Sequence, residues 1–281
     1  MSSLIEQATQ RLEQLRKAGA VMPETTNQPA TQQFGRATGD LNAFAQSDPG
    51  QVPGVPPATT PSVSRQVEID LDALSAAGIV SPNAPRSQIA DQFRVIKRPL
   101  IRNAMGKGPS VITNGNLIMV TSALAGEGKS FTAINLALSI ATELDNTVML
   151  VDADVARPSV LRVLGLPPSP GLLDLVLDES LDMSSVLLKT NIDKLSILPS
   201  GLQHQRATEL LASDAMIRML GTMASRYPDR IVIFDSPPLL LTTEARVLAT
   251  HMGQIVMVVR AETTLQSDVQ HALSHFFTLS K

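Results

Sequence analysis

Residues 117–132 read Leu117-Ile-Met-Val-Thr-Ser122-Ala-Leu-Ala-Gly126-Glu-Gly128-Lys-Ser130-Phe-Thr132. An apolar run leads into a loop with two glycines, and the loop enters a segment with helical spacing. Glycines let the backbone curl so that successive N–H groups point at phosphate oxygens. The helix that follows sets its positive end at the same place. Lys129 would then reach the β- and γ-phosphates of a nucleotide, and the Ser130 hydroxyl would bind Mg²⁺. The candidate binding residues are Ala125, Gly126, Glu127, Gly128, Lys129, Ser130 and Phe131. One position departs from the usual G-x-x-x-x-G-K-[ST] spacing: Ala123 stands where the first glycine is expected.

Outward from this stretch the chain alternates. Strand-like runs lie at Leu117–Ser122, Thr147–Val151, Leu195–Pro199, Ile231–Phe234 and Ile255–Val259. Helix-length segments lie at Ser130–Leu144, Thr208–Ala224, Thr242–His251 and Thr264–Phe277. A further helix is expected from Ser87 to Ala104, kinked or broken at Pro99. Strands made almost wholly of Val, Ile, Leu and Met are covered on both faces. Alternation of such strands with helices predicts an α/β fold, a doubly wound and mainly parallel sheet. Met216, Met219 and Met223 are expected as core filler.

Two of these strands end in acid. Thr147–Val151 runs into Asp152-Ala-Asp154-Val-Ala-Arg157-Pro158, and Ile231–Phe234 runs into Asp235-Ser-Pro-Pro238. In a parallel sheet ligands bind at the carboxyl ends of the strands. Carboxylates there can hold Mg²⁺ or accept a proton from an attacking hydroxyl. Lys129, Asp152, Asp154 and Asp235 are therefore the candidate catalytic residues of a phosphoryl-transfer site, and Ser130, Asp152 and Asp235 its candidate metal ligands.

Composition narrows the class. The 281 residues include no cysteine, which excludes disulfides, zinc–cysteine sites and cysteine nucleophiles. A net charge of −3 argues against a general nucleic-acid-binding surface. No apolar run is long enough to span a bilayer, and the first 20 residues have no signal-peptide centre, so a cytoplasmic protein is expected. Residues 1–20 read as an amphipathic helix with Leu4, Ile5, Ala8, Leu12 and Leu15 on one face, suited to docking on a partner. Residues 21–66 hold seven of the chain's 19 prolines and read as a disordered linker. The folded domain is then expected over 67–281.

Taken together these residues resemble the bacterial tyrosine kinases, a branch of the P-loop ATPases. Ala123–Ser130 is similar to their first motif, Val151–Pro158 to their second acidic motif and Ile231–Pro238 to their third. Glu127 matches the family's Gly-Glu-Gly-Lys pattern, with its side chain expected to face solvent. More narrowly the chain is similar to tyrosine autokinases of exopolysaccharide loci associated with exosortase sorting. The resemblance implies transfer of phosphate from ATP·Mg²⁺ to tyrosine. It implies activation by the cytoplasmic tail of a membrane-bound polysaccharide co-polymerase, which would bring the protein to the inner membrane. It also implies self-association through a helix on which Asp91, Arg94 and Lys97 share a face. Two departures from the pattern stand out. The one tyrosine, Tyr227, sits beside Pro228 as a packing or turn residue. The chain also stops where the family continues into a further apolar strand and a tyrosine cluster, so a diminished adenine pocket is expected. Two other functions stay open. One is a positioning ATPase of the MinD/ParA kind, although Leu124 stands where those proteins carry a second lysine. The other is a non-catalytic assembly subunit.

Overall fold

A computed structural model describes residues 64–82, 87–226 and 229–279, with side chains described as far as residue 274. The segment expected as an N-terminal helix, nearly all of the segment expected as a linker, and Tyr227 lie outside the described residues. In chain order the elements begin with β1 (Arg65–Val67), α1 (Leu71–Ala76), α2 (Gln88–Ala104), β2 (Leu117–Ser122), α3 (Lys129–Ala141) and β3 (Thr147–Asp152). Next come α4 (Val160–Val163), α5 (Leu172–Leu177), α6 (Met183–Val186), β4 (Leu188–Thr190) and β5 (Leu195–Leu198). The last are α7 (Ala207–Leu211), α8 (Asp214–Arg226), β6 (Arg230–Asp235), α9 (Thr243–Ala249), β7 (Gln254–Val258) and α10 (Gln266–Leu279). Among the described residues the first element begins at Arg65.

The strands form one sheet in the order β1-β4-β5-β3-β6-β2-β7. Every pairing is parallel except β4 with β5. The expected α/β architecture is the observed one. Alternate residues of the central strands feed opposite cores, as a period of two demands. Ile118, Val120, Val148, Leu150, Ile231 and Ile233 face a core shared with α1, α2 and α3. Leu117, Met149, Val151, Val232 and Phe234 face a second core shared with α5 and α8. Met216 and Met223 are buried in that second core and Met219 packs against it, which bears out their reading as filler.

Two local expectations need correction. The segment Thr208–Ala224 is not one helix. It breaks at Ala212 and Ser213, where the Ser213 Oγ accepts from the Met216 N–H at 3.2 Å and caps α8. The restart sets the register of α8: Met216 enters the core, while the next residue, Ile217, is exposed. The second concerns Pro99. Helix α2 runs through it without a break over 17 residues. Its C-terminal end is tied to the sheet by Gln254 of β7, which accepts from Asn103 Nδ2 and donates to the Leu100 carbonyl, both at 3.0 Å.

Polar side chains also fasten the first elements. Asn135 of α3 accepts the Val80 N–H at 2.7 Å, and Asn191 accepts the Ile69 N–H at 2.9 Å. Both bonds bridge segments far apart in the chain, so α1 and its flanks are held by groups that no local pattern announces. No helix among the described residues is long and apolar enough to cross a membrane.

Candidate functional site

The phosphate loop joins β2 to α3 at the carboxyl edge of the sheet. Gly126 and Gly128 have φ of +81° and +96°, the left-handed region that a side chain makes costly. A Cβ at either position would meet nothing within 4 Å, so the demand for glycine is torsional. Ala123 has no such demand. It is fully buried and lies outside the positive-φ residues, which explains why the departure from the usual glycine is tolerated. Lys129 is the first residue of α3 and is buried, with Ser130 next to it. Phe131 is part-exposed at the mouth of the loop.

Glu127 does not face solvent. Its Oε2 accepts the Leu124 N–H at 2.6 Å, and its Oε1 accepts the Arg260 N–H at 3.4 Å and the hydroxyl of Thr264. The carboxylate therefore ties the phosphate loop to the segment after β7. These hydrogen bonds outweigh its burial and hold its pKa below the usual carboxylate range. Only the adjacency of β7 to β2 in the sheet makes this tie possible.

Asp152 and Asp235 end the paired strands β3 and β6 and stand opposite each other in register. Asp152 Oδ2 accepts the N–H groups of Ser159 and Val160 at 3.0 and 2.9 Å, so one oxygen caps the short helix α4. The other oxygen of Asp152 and one of Asp235 are buried with no hydrogen-bond partner. Burial is the main cause that pushes Asp152 up to about 7, with the neighbouring Asp235 charge adding to it. Burial likewise raises Asp235 to about 6, against the pull of Lys129. Asp154 is also raised, chiefly by burial and against the nearby Lys129 charge, and its carboxylate accepts the Arg157 N–H in a turn.

Ser159 is a residue that sequence reading missed. Its hydroxyl lies 2.7 Å from Ser130 Oγ and 3.5 Å from Asp235 Oδ2, bridging the loop to the acidic strand end. A serine just before an apolar helical turn signals a helix cap, but here the hydroxyl makes no cap bond and turns into the site.

A hard divalent cation fits this donor set. Two buried carboxylate oxygens without partners and a serine hydroxyl are all oxygen donors. Among the described residues no group of three or more His, Cys, Asp or Glu forms a metal cage. Mg²⁺ commonly takes one or two carboxylates and completes its shell with water and substrate phosphate.

The helix expected to carry an intermolecular charge row is different. Asp91 and Arg94 are exposed and pair with each other. Lys97 is buried, with 3% of its side chain exposed, and its Nζ lies 2.6 Å from Glu143 Oε1 and 3.2 Å from Thr142 Oγ1, besides the Ser139 carbonyl. It caps the C-terminal end of α3, where carbonyls lack partners and a cation is favoured. Lys97 is therefore removed from the row by folding.

A phosphate loop with a lysine and a serine at the N-terminus of α3, and two acidic ends on the neighbouring parallel strands, define a P-loop nucleotide-binding protein. Comparison agrees: the family model described as "ParA: NUBPL iron-transfer P-loop NTPase" matches residues 113–221. The chain is 31% identical over 186 residues to the tyrosine-protein kinase YwqD of Bacillus subtilis, covering 66% of this chain and 74% of that protein. It is 32% identical over 161 residues to the putative tyrosine-protein kinase EpsB of Ralstonia nicotianae, covering 57% of this chain but 21% of that relative. Among solved structures, the chimerical protein CapA2B2 superposes with a TM-score of 0.61 at 26% identity, over 78% of this chain and 89% of the other. The chain belongs to the bacterial tyrosine kinase family. It spans about a fifth of the length of EpsB.

Proposed function

We propose that this chain is an ATP-dependent protein-tyrosine kinase that regulates the synthesis or export of an exopolysaccharide. The observation that carries the reading is the pair of buried, unpartnered oxygens on Asp152 and Asp235, with Ser130 hydrogen-bonded to Asp235. Leaving such atoms without partners costs about 1–3 kcal/mol each or more when charged. A fold retains that cost where a ligand will relieve it.

In this reading the backbone N–H groups of residues 126–130 and the Lys129 ammonium bind the phosphates of ATP and stabilise the charge that spreads over the transferring group. Ser130, Asp152 and Asp235 would hold Mg²⁺, which supplies charge neutralisation on the phosphate oxygens. Tyrosine oxygen attacks the γ-phosphorus, the bond to the β-phosphate oxygen breaks, and the phenolic proton passes to a carboxylate. Asp152, at the end of β3, would accept that proton or hold the metal. Glu127 and Ser159 position the loop and the acidic ends without touching substrate. Activation by the cytoplasmic tail of a membrane polysaccharide co-polymerase belongs to the same proposal.

The match of residues 113–221 to a ParA-type model keeps a positioning ATPase as the second reading. Leu124 tells against it: the position of the additional lysine carries an aliphatic side chain, and its N–H is held by Glu127.

The test is incubation of the purified chain with γ-labelled ATP and Mg²⁺, with and without that cytoplasmic tail, and Lys129→Ala as control. Phosphotyrosine that disappears in the control supports the kinase. Free phosphate without labelled protein supports the ATPase, and binding without any turnover leaves an assembly role.

A further inference from the structure

The charges of this chain are unevenly placed. Over the whole sequence acidic residues outnumber Lys and Arg, 26 to 23. Between Asp91 and Glu127, however, stand Arg94, Lys97, Arg98, Arg102 and Lys107 and no acidic residue. Folding sorts these cations. Lys97 is turned inward against Glu143 and the end of α3. Arg94 is exposed and paired with Asp91. Arg98, Arg102 and Lys107 are exposed, and among the described residues their charges meet no acidic partner.

Apolar side chains share that face. At 3.6 residues per turn, Arg94, Arg98 and Arg102 lie in one row about 12 Å long, with Val95 and Pro99 beside it. Val95 is 73% exposed. Val111, in the loop that follows α2, is 89% exposed and lines the same surface hollow as Asn103, Ala104 and Gly106 at the end of that helix. One exposed valine would need no explanation. Here two flank a row of cations that the protein leaves uncompensated.

We propose that the outer face of α2, with the loop as far as Val111, is a docking surface for an anionic phospholipid bilayer. Lipid phosphates attract Arg98, Arg102 and Lys107, while Val95 and Val111 enter the headgroup boundary. This contact is made by the domain itself. It is separate from any contact with a partner's tail and does not depend on the kinase reading.

Both halves of the patch favour lipid over other anions. Nucleic acid supplies phosphates for the arginines but no apolar layer for the valines. A bilayer surface supplies both.

The place of the patch in the fold agrees. The α2 residues Leu100 and Asn103 are bonded to Gln254, the first residue of β7, and Gln254 also donates to the Gly115 carbonyl just before β2. Lys97 holds the C-terminal end of α3, whose N-terminal end carries the phosphate loop. Helix α2 therefore lies towards the amino edge of the sheet and the phosphate site at the carboxyl edge. A bilayer bound at α2 leaves Lys129, Asp152 and Asp235 away from lipid and open to nucleotide. The helix is also fixed in advance by buried Phe93 and Lys97, so little beyond the arginine side chains has to be ordered on binding.

The test is co-sedimentation of the full chain with vesicles of phosphatidylcholine alone, and of phosphatidylcholine and phosphatidylglycerol in equal parts, at low and at high salt. The parent should pellet with the mixed vesicles, stay in solution with phosphatidylcholine, and be released by salt. Arg98→Ala combined with Arg102→Ala should lower the partition coefficient for mixed vesicles by about fivefold per cation, roughly twentyfold together. Arg98→Lys combined with Arg102→Lys should bind within about threefold of the parent, since the charge and not a fixed hydrogen-bond pattern is used. Val95→Ser should weaken binding by a smaller factor. Melting temperature and affinity for a fluorescent ADP analogue should stay at the parent's values in every variant. Equal pelleting of the parent and the double-alanine variant overturns the proposal, as does equal binding of the parent to the two kinds of vesicle. A parent that ignores the vesicles but binds a duplex DNA fragment, and loses it in the double-alanine variant, overturns it in favour of a nucleic-acid site.

Discussion

The two sides of the phosphate site treat their carboxylates in opposite ways. On the β7 side Glu127 is buried inside the loop and both oxygens of its carboxylate have donors, from Leu124, Arg260 and Thr264. On the β3–β6 side Asp152 and Asp235 are more deeply buried, 1% and 0% exposed against 8% for Glu127, and each keeps an oxygen without a partner. Their pKa values follow: the satisfied carboxylate is lowered, the unsatisfied pair is raised to about 7 and about 6. Deeper burial raises the two aspartates, and hydrogen bonds outweigh the shallower burial of Glu127. The second difference is that the fold provides donors for both oxygens of Glu127 and leaves one oxygen of each aspartate open to a ligand.

This contrast can be broken by experiment. The largest effect is expected for Asp152→Asn and Asp235→Asn, each of which should reduce phosphotransfer by about 10²–10⁴-fold, measured as initial rates of phosphotyrosine formation. The same substitutions should stabilise the ligand-free protein. A carboxyl group whose folded pKa lies above its unfolded value keeps its proton longer in the folded state. Stability contributed by protonated Asp152 is therefore present at low pH and is lost as pH rises from about 4 towards 7. Asp152→Asn removes that loss. Its melting temperature should exceed the parent's by several degrees at pH 8, at roughly 2–4 °C per kcal/mol for a domain of this size, and the gap should close as the pH falls towards 4. A lower melting temperature for the Asn variant at pH 8 would mean that Asp152 is paired after all.

Glu127→Ala should behave in the reverse way. It leaves the Leu124 and Arg260 N–H groups without their acceptor and should destabilise by about 1–3 kcal/mol, with no pH at which the variant is the more stable. Urea denaturation reads this directly. Loss of activity without loss of stability would instead place Glu127 among the reacting groups. The smallest effect belongs to Arg94→Ala, which removes an exposed pair with Asp91 worth about 0–1 kcal/mol. Lys97→Ala on the same helix should cost more, about 1–3 kcal/mol, because the Ser139 carbonyl and the end of α3 lose a buried donor, while Glu143 is part-exposed and solvated. Similar losses for the two would show that burial of Lys97 carries no weight.

Much of this site was legible from the chain alone. Gly126, Gly128, Lys129 and Ser130 sit in one short run, and a strand–loop–helix is a local pattern whose periodicity changes from two to 3.6 within a few residues. Asp152 and Asp235 were legible for a similar reason, since each directly follows an unbroken apolar strand. Ser159, Glu127 and Lys97 were not. Ser159 has the form of a helix cap, but its hydroxyl meets Ser130, 29 residues away. Glu127 has the form of a solvated loop residue, but its partner Arg260 lies 133 residues on. Lys97 shares a helical face with Asp91 and Arg94, and spacing carries no information about which part of that face another helix covers.

By itself, then, the sequence determined the α/β class, the phosphate loop and the acidic strand ends, because these depend on torsional preference and apolar period within a dozen residues or so. Tertiary structure alone decided the strand order β5-β3-β6-β2-β7, and with it which carboxylate is satisfied and which is left open. That order sets Asp152 beside Asp235 and hands Glu127 its donors from beyond β7. Strand order is a property of how crossovers pack around the core, and no single segment carries it.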